Sequence, residues 1–586
     1  MRNQAALLTA LACVLHAPAA RAAPSTSASP KPASPDVAAI AAHYQAWLKL
    51  HPLEATELGL HSPALDAAMP ELGPVADRAV LAQLAAGDQL LEQASRATGC
   101  DERCRVELEI VRFHVEAERH TLARLRPFER YADAPIDVVA RAVFPLIKRD
   151  FAPLPSRAAY AIARLQAAPR VFEQALALLR GSTLVAKVSI DIALEQLPST
   201  ADFLERDVPA AFASLPDASL VRRVREAGKR AADALRAYGK ALSTEIAPRA
   251  TPSFSLGEPL FVELLAKQEM ITEPLPQLRA RGEAELRRLQ SAFREVAHRI
   301  DPKQEPLAVQ RALGRDHAAA GAIIAEVRGR LASLRRFVVE HDLVGIPSEV
   351  MPIVDETPPF MRATTQASMD TPGPYEPRAT EAYYHVTLPD PHWDAARTDD
   401  YLGGAFNRAI IDVVSIHEAL PGHYVQLLWM QHLSSQARRM QGNGAYIEGW
   451  AHYCEEMMLD EGWGGVGEPD RRADRVRLAQ LADALLRAAR YVVAIRMHTG
   501  GMTLAEAQRF FEVEGLQSHE VALIEAKRGT EDPMFLHYTW GKLELKALRE
   551  ALRGRWGKSF SLRRFHDAVL AEGPVPLPIL RRLLLK

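Results

Sequence analysis

The stretch "SIHEALPGHYVQ", from Ser415 to Gln426, sets two histidines and a carboxylate where they could hold a metal ion and use it. A helix that binds zinc through His-Glu-x-x-His stacks two imidazoles one turn apart, and the glutamate beside the first serves as general base. Here the residue four after His417 is Pro421, and the next histidine is His423. Six residues of regular helix turn through about 600°, which would leave the two rings about 120° apart. Pro421 removes the hydrogen bond back to His417 and crowds that turn, while Gly422 relaxes the backbone. A local widening at Pro-Gly would return His423 to the phase of His417. His417 and His423 are then ligands and Glu418 the base. A Pro-Gly helix end that happens to carry two histidines is the plain alternative, and spacing alone does not choose between them.

A second stretch, "GAYIEGWAHYCEEMMLDEG", reads as a helix in which Glu448, His452 and Glu455 form one polar stripe, three and four residues apart. A catalytic zinc site needs a third protein ligand and an open position for water. Glu448, 25 residues beyond His423 (448 − 423), can supply that ligand after one loop and a helical return. His452, one turn further, either competes for the ion or orients the carboxylate. A solvated charged face is the alternative, and Gly449 with three aromatics on the same helix argues against it.

The elements around these stretches are mostly helical. From about 37 to 350 apolar residues recur three and four apart, as in "VRRVREAGKRAADALRAYGKAL", with proline-bearing breaks between. Between about 351 and 400 prolines crowd together, and "EAYYHVTL" offers a short strand just before the metal helix. Such a strand could dock an extended peptide by main-chain hydrogen bonds. Tyr383 and Tyr384 alternate in facing, so at most one meets a substrate, with Tyr384 a candidate. The fold class is mainly α with a small β element. Residues 37–586 are expected to form one large helical catalytic unit, an N-terminal half (37–350) and a metal-site half (351–586).

Residues 1–22 have a positive start, a short apolar core and small residues before a cleavage point, the pattern of a signal peptide. A Ser/Pro/Ala linker follows at 23–36. The chain is therefore expected to be exported, periplasmic or secreted, with lipid attachment at Cys13 a minor possibility. Export would permit Cys100 and Cys104 to form a disulfide, and two thiols are equally compatible with the spacing. The 71 basic and 73 acidic residues nearly cancel, which gives no reason to expect nucleic acid as a partner. No later stretch is long and apolar enough for a membrane span. Neither a G-x-S-x-G elbow nor a local signature at Cys454 offers another nucleophile.

"HEALPGH" followed by "EGWAHY" resembles a bacterial domain-of-unknown-function family with HExxPGH and EGWAxY motifs, whose members are predicted gluzincin-like zinc peptidases. "HPLEATELGLH", "FSLGEPLF", "RYVVAIRMHTGGMT" and "FLHYTWGKLELKALR" are similar to its flanking segments. The resemblance implies a helical metallopeptidase fold in the style of angiotensin-converting enzyme and related oligopeptidases, with the metal deep in a channel. It implies one Zn2+ held by His417, His423 and Glu448, with Glu418 as base. Tyr538 would steady the oxyanion, and Arg490 and His498 would lie near the substrate. The sequence departs from the family at Ala494, Met502 and His452, the first two at the substrate-binding end. The activity implied is hydrolysis of short peptides. Alternatives are hydrolysis of another amide, or peptide binding without catalysis.

Overall fold

The computed structural model describes residues 34–358, 362, 365–465 and 472–586. The expected signal segment, Cys13 and most of the linker lie outside the described residues. The linker ends earlier than expected, because Pro35 and Asp36 already open the first helix, α1 (Pro35–Trp47).

The described chain is mainly helical. α2 (Glu102–His120), α3 (Leu154–Gly181) and α4 (Ala218–Ala241) lead in sequence to a three-stranded sheet. The helices that follow are α5 (Arg408–Glu418), α6 (His423–Gln431), α7 (Gly444–Asp460), α8 (Arg472–Thr499), α9 (His519–Glu531) and α10 (His537–Trp556). α3 and α4 contribute small, fully buried residues such as Ala161, Ala168, Ala227 and Ala231 to a core that also takes Val139, Phe203 and Phe212 from neighbouring segments. Small side chains let two long helices approach closely over their whole length. A second core joins Ile40, Tyr44 and Val111 from the N-terminal helices to Ile416, Trp450 and Tyr491 from the later ones. The N-terminal segment thus shares a hydrophobic core with the helices that carry the candidate site.

Cys100 and Cys104 are joined as a disulfide. The strain expected of a bridge one turn apart inside a helix does not arise, since α2 begins only at Glu102 and Asp101 caps it by accepting from Cys104 N at 2.9 Å.

The sheet has the order β1-β3-β2, from β1 (Ile353–Glu356), β2 (Ala367–Asp370) and β3 (Tyr383–Val386), with β3 parallel to β1 and antiparallel to β2. The strand expected as the docking edge is β3, and this is corrected here: β3 is central, paired on both sides, and β2 is the edge beside α5. Tyr384 is corrected with it. Its side chain is buried and its hydroxyl lies 3.4 Å from Ser415 Oγ, so it props α5 instead of facing a substrate.

α7 and α10 cross at backbone contact. A Cβ at Gly449 would lie 2.6 Å from the Gly541 backbone, and one at Gly541 would lie 2.0 Å from Ala445 O. Only two glycines allow that approach, and it brings Tyr538 at the start of α10 toward Glu448 on α7. Gly541→Ala should therefore destabilise the fold by about 1–3 kcal/mol through overpacking, read as a lowered thermal midpoint. An unchanged midpoint would mean that the crossing has slack.

Candidate metal centre

α5 starts at an Asn407 cap, whose Oδ1 accepts from Ile410 N at 3.0 Å, and buries Ile411, Val413 and Ile416. It stops at Glu418. Pro421 has no N–H to continue the ladder, and the Leu420–Pro421 peptide is cis. Ala419 N and Leu420 N both donate to Ser415 O, Gly422 N donates to Ile416 O, and α6 restarts at His423. The expected widening of one helix is thus corrected to a full break between two. A Cβ on Gly422 would lie 1.8 Å from His417 O, so the turn closes only over glycine. Trp450 of α7 pins the turn from the other side, donating from Nε1 to Pro421 O at 3.0 Å.

The break puts the two imidazoles together, with ring centroids 4.8 Å apart and nearly perpendicular. α7, capped by Asn443 accepting from Tyr446 N, delivers Glu448 to the same point. Glu448 Oε2 lies 3.5 Å from Nε2 of His417 and 3.5 Å from Nε2 of His423. That oxygen is buried and makes no hydrogen bond among the described residues. Zinc–ligand bonds near 2.0–2.2 Å place tetrahedral donors about 3.3–3.5 Å apart, so this donor set fits one small divalent cation. Among the described residues these are the only three His, Cys, Asp or Glu side chains grouped to hold a metal.

Behind the three candidate ligands stands a residue whose role the sequence does not reveal. Glu455 is fully buried, and its Oε1 meets His417 Nδ1 at 2.7 Å while its Oε2 meets His452 Nδ1 at 3.1 Å. A carboxylate on the far nitrogen fixes a histidine's tautomer and strengthens it as a ligand. Arg487, also unforeseen, supports the same group, with Nη2 3.5 Å from Glu455 Oε1. The legible signal was spacing: Glu455 lies seven residues, two turns, beyond Glu448 on one helical face. His452 is not grouped with the ligands and bonds to Glu455, which corrects the expectation that its partner would be Glu448.

Charge follows this geometry. Burial and Arg487 oppose protonation of His417, yet Glu448 and Glu455 outweigh them and push its pKa up to about 10. Burial would raise Glu448, but His423 and then His417 hold it well below the usual carboxylate range. Burial, then Lys542, pushes His452 down to about 3, so it stands there as a neutral imidazole. Glu418 is shifted upward by burial, against the pull of His417 and His423. Its Oε2 accepts from Met369 N on the β2 edge at 2.9 Å, which holds it beside the ligands without making it one.

The remaining expected residues are more scattered. Tyr538 is partly buried beneath three arginines, with Arg490 5.1 Å from its ring centre. Arg490 is closed by a two-point pair with Glu525, both contacts at 2.6 Å. His498 is fully buried, stacks on Phe261 and meets Gly529 O through Nε2 at 2.9 Å. No contact joins it to the metal centre among the described residues. The Cys454 thiol is buried, and its pKa is raised well above normal by that burial, as suits a structural cysteine.

A family model described as bacterial protein of unknown function (DUF885) matches residues 52–584. The chain belongs to this family. No curated protein matches the chain. Two solved structures share the architecture of this DUF885 chain. A candidate lipoprotein of unknown function from Shewanella oneidensis is 23% identical, with a TM-score of 0.75, 94% of this chain and 100% of that one covered. A candidate lipoprotein from Colwellia psychrerythraea is 18% identical, with a TM-score of 0.79 and coverage of 94% and 98%. At these identities the likeness is one of fold.

Two predictions follow from the geometry. Glu448→Ala should abolish stoichiometric metal and His452→Ala should retain it, while Glu455→Gln weakens affinity by about ten- to a hundredfold. Metal content by mass spectrometry checks the ranking, and the reverse order of Glu448 and His452 would make His452 the ligand. Gly422→Ala should also lower metal affinity although no ligand changes. Wild-type affinity in that variant would mean the turn is not what brings His423 into place.

Proposed function

We propose that this chain is an exported, zinc-dependent peptidase of short peptides, with a fold of the helical gluzincin type. The observation that carries the reading is one juxtaposition: His417, His423 and Glu448 converge, and Glu418 is held beside them by a strand edge instead of joining them. A binding site alone would need no such base. When bound, one zinc ion would polarise the scissile carbonyl and the attacking water.

The chain's own residues account for the rest. An ion would take the place of the His417 proton, so that His417 and His423 would hold it through two neutral nitrogens and Glu448 through one carboxylate. Glu418 keeps one oxygen on Met369 N and uses the other to take a proton from the attacking water. It then returns that proton to the leaving amine. Its upward shift by burial suits a group that must both accept and release a proton. Tyr538 donates to the carbonyl oxygen as negative charge develops there. The outer edge of β2, which pairs with no other strand among the described residues, is where an extended substrate backbone would lie.

The export reading draws on the N-terminal pattern, on the Cys100–Cys104 disulfide, and on two structural relatives described as candidate lipoproteins. No helix among the described residues is long and apolar enough to cross a membrane.

Glu418→Gln should keep its zinc and lose about 10²–10⁴-fold in turnover of a peptide library read by mass spectrometry. Near-wild-type turnover in the zinc-loaded variant would remove Glu418 from the chemistry. A zinc-loaded wild type that cleaves no peptide but does cleave other amides would shift the substrate class.

A further inference from the structure

Three guanidinium groups surround the Tyr538 ring: Arg490 at 5.1 Å, Arg487 at 5.8 Å and Arg528 at 5.8 Å from its centre. Two are committed elsewhere. Arg490 is paired at two points with Glu525, and Arg487 is held by Asp483 and directed toward Glu455. Of the three, Arg528 is the one that reaches the phenol oxygen, with Nη2 3.3 Å from Oη. Arg528 is itself fixed by Asp532, whose Oδ2 accepts from Nε at 3.1 Å and from Nη2 at 3.0 Å.

An arginine carries donors and no acceptor. At this contact the phenol must therefore accept, and its single proton has to point elsewhere. Oη makes no other hydrogen bond among the described residues. The Tyr538 side chain is partly open, and it stands one turn before Gly541, whose backbone meets Gly449 beside Glu448, so the start of α10 lies against the part of α7 that carries the metal-centre carboxylate. A donor that also accepts from a cation is polarised and becomes a stronger donor.

We infer that Arg528, braced by Asp532, is a positioning residue that turns the Tyr538 hydroxyl proton toward the metal centre. The inference rests on the peptidase reading given above. It deepens that reading by naming what makes Tyr538 a donor there. Nε and Nη2 of Arg528 are engaged by Asp532 and Tyr538, and Nη1 is the nitrogen left for a substrate carboxylate, the alternative that the test decides.

The test uses zinc-loaded full-length protein and internally quenched peptides, each prepared with a free and with an amidated C-terminus. Arg528→Gln should lower kcat about tenfold with KM within about twofold, and Arg528→Lys should recover most of the loss. In a Tyr538→Phe background the same Arg528→Gln change should alter kcat by less than about twofold, because its route of action is gone. A full tenfold loss in that background would overturn the inference. So would a loss lying in KM and confined to free-acid peptides, which would make Arg528 a substrate anchor. If the wild type cleaves none of the peptides, the peptidase reading fails on its own. The positioning claim is then decided by 3,5-difluorotyrosine placed at residue 538 and titrated by fluorine NMR. Its phenol should titrate at higher pH in Arg528→Gln than in the parent, and an identical titration would overturn the claim.

Discussion

His417 and His423 stand six residues apart, and an unbroken helix would leave their rings about 120° out of phase. The candidate centre depends on removing that mismatch. The chain does so by ending α5 at Glu418 and restarting at His423, across a turn that only glycine at 422 can close. The turn is held from both sides. Ser415 O and Ile416 O take its N–H groups, and Trp450 donates to its Pro421 carbonyl. Because Trp450 lies two residues beyond Glu448, the contact that steadies the histidine turn also sets the third donor in place.

A carboxylate as deeply buried as Glu455 is costly unless its charge is answered. Here it is answered three times, by His417, His452 and Arg487. The same carboxylate orders the ligand and fills the interior between α5, α7 and α8. That arrangement requires α7 to be enclosed on nearly every side, and the Gly449–Gly541 crossing with α10 encloses it. Packing and site chemistry are therefore one construction: the helix approach that closes the core also brings Tyr538 toward Glu448.

Much of this was legible in the sequence, for reasons that can be named. The helical class follows from apolar spacing, and the meeting of His417, His423 and Glu448 follows from the two motifs once Pro421 and Gly422 interrupt the phase that would part the histidines. The short strand before α5 was visible in "EAYYHVTL", but its place in the sheet was not, because strand order depends on partners distant in sequence. From sequence alone β3 has the look of an edge and Tyr384 that of a substrate contact, whereas β2 is the edge and Tyr384 packs under Ser415. Glu455 sat in a visible polar stripe, yet spacing cannot tell a solvated carboxylate from a buried one. The resemblance points to Arg490 and gives no sign of Arg528. Only their partners, Glu525 for one and Tyr538 with Asp532 for the other, separate their roles.

The central claim is that these three side chains hold one ion between them. Zinc-edge X-ray absorption on purified protein, reconstituted with one equivalent of zinc, addresses it most directly. The account predicts a single light-atom shell near 2.0–2.1 Å with imidazole scattering from two histidines and the remainder oxygen, and loss of one imidazole in His423→Ala. A sulfur shell, four imidazoles, or a spectrum unchanged by His423→Ala would contradict it.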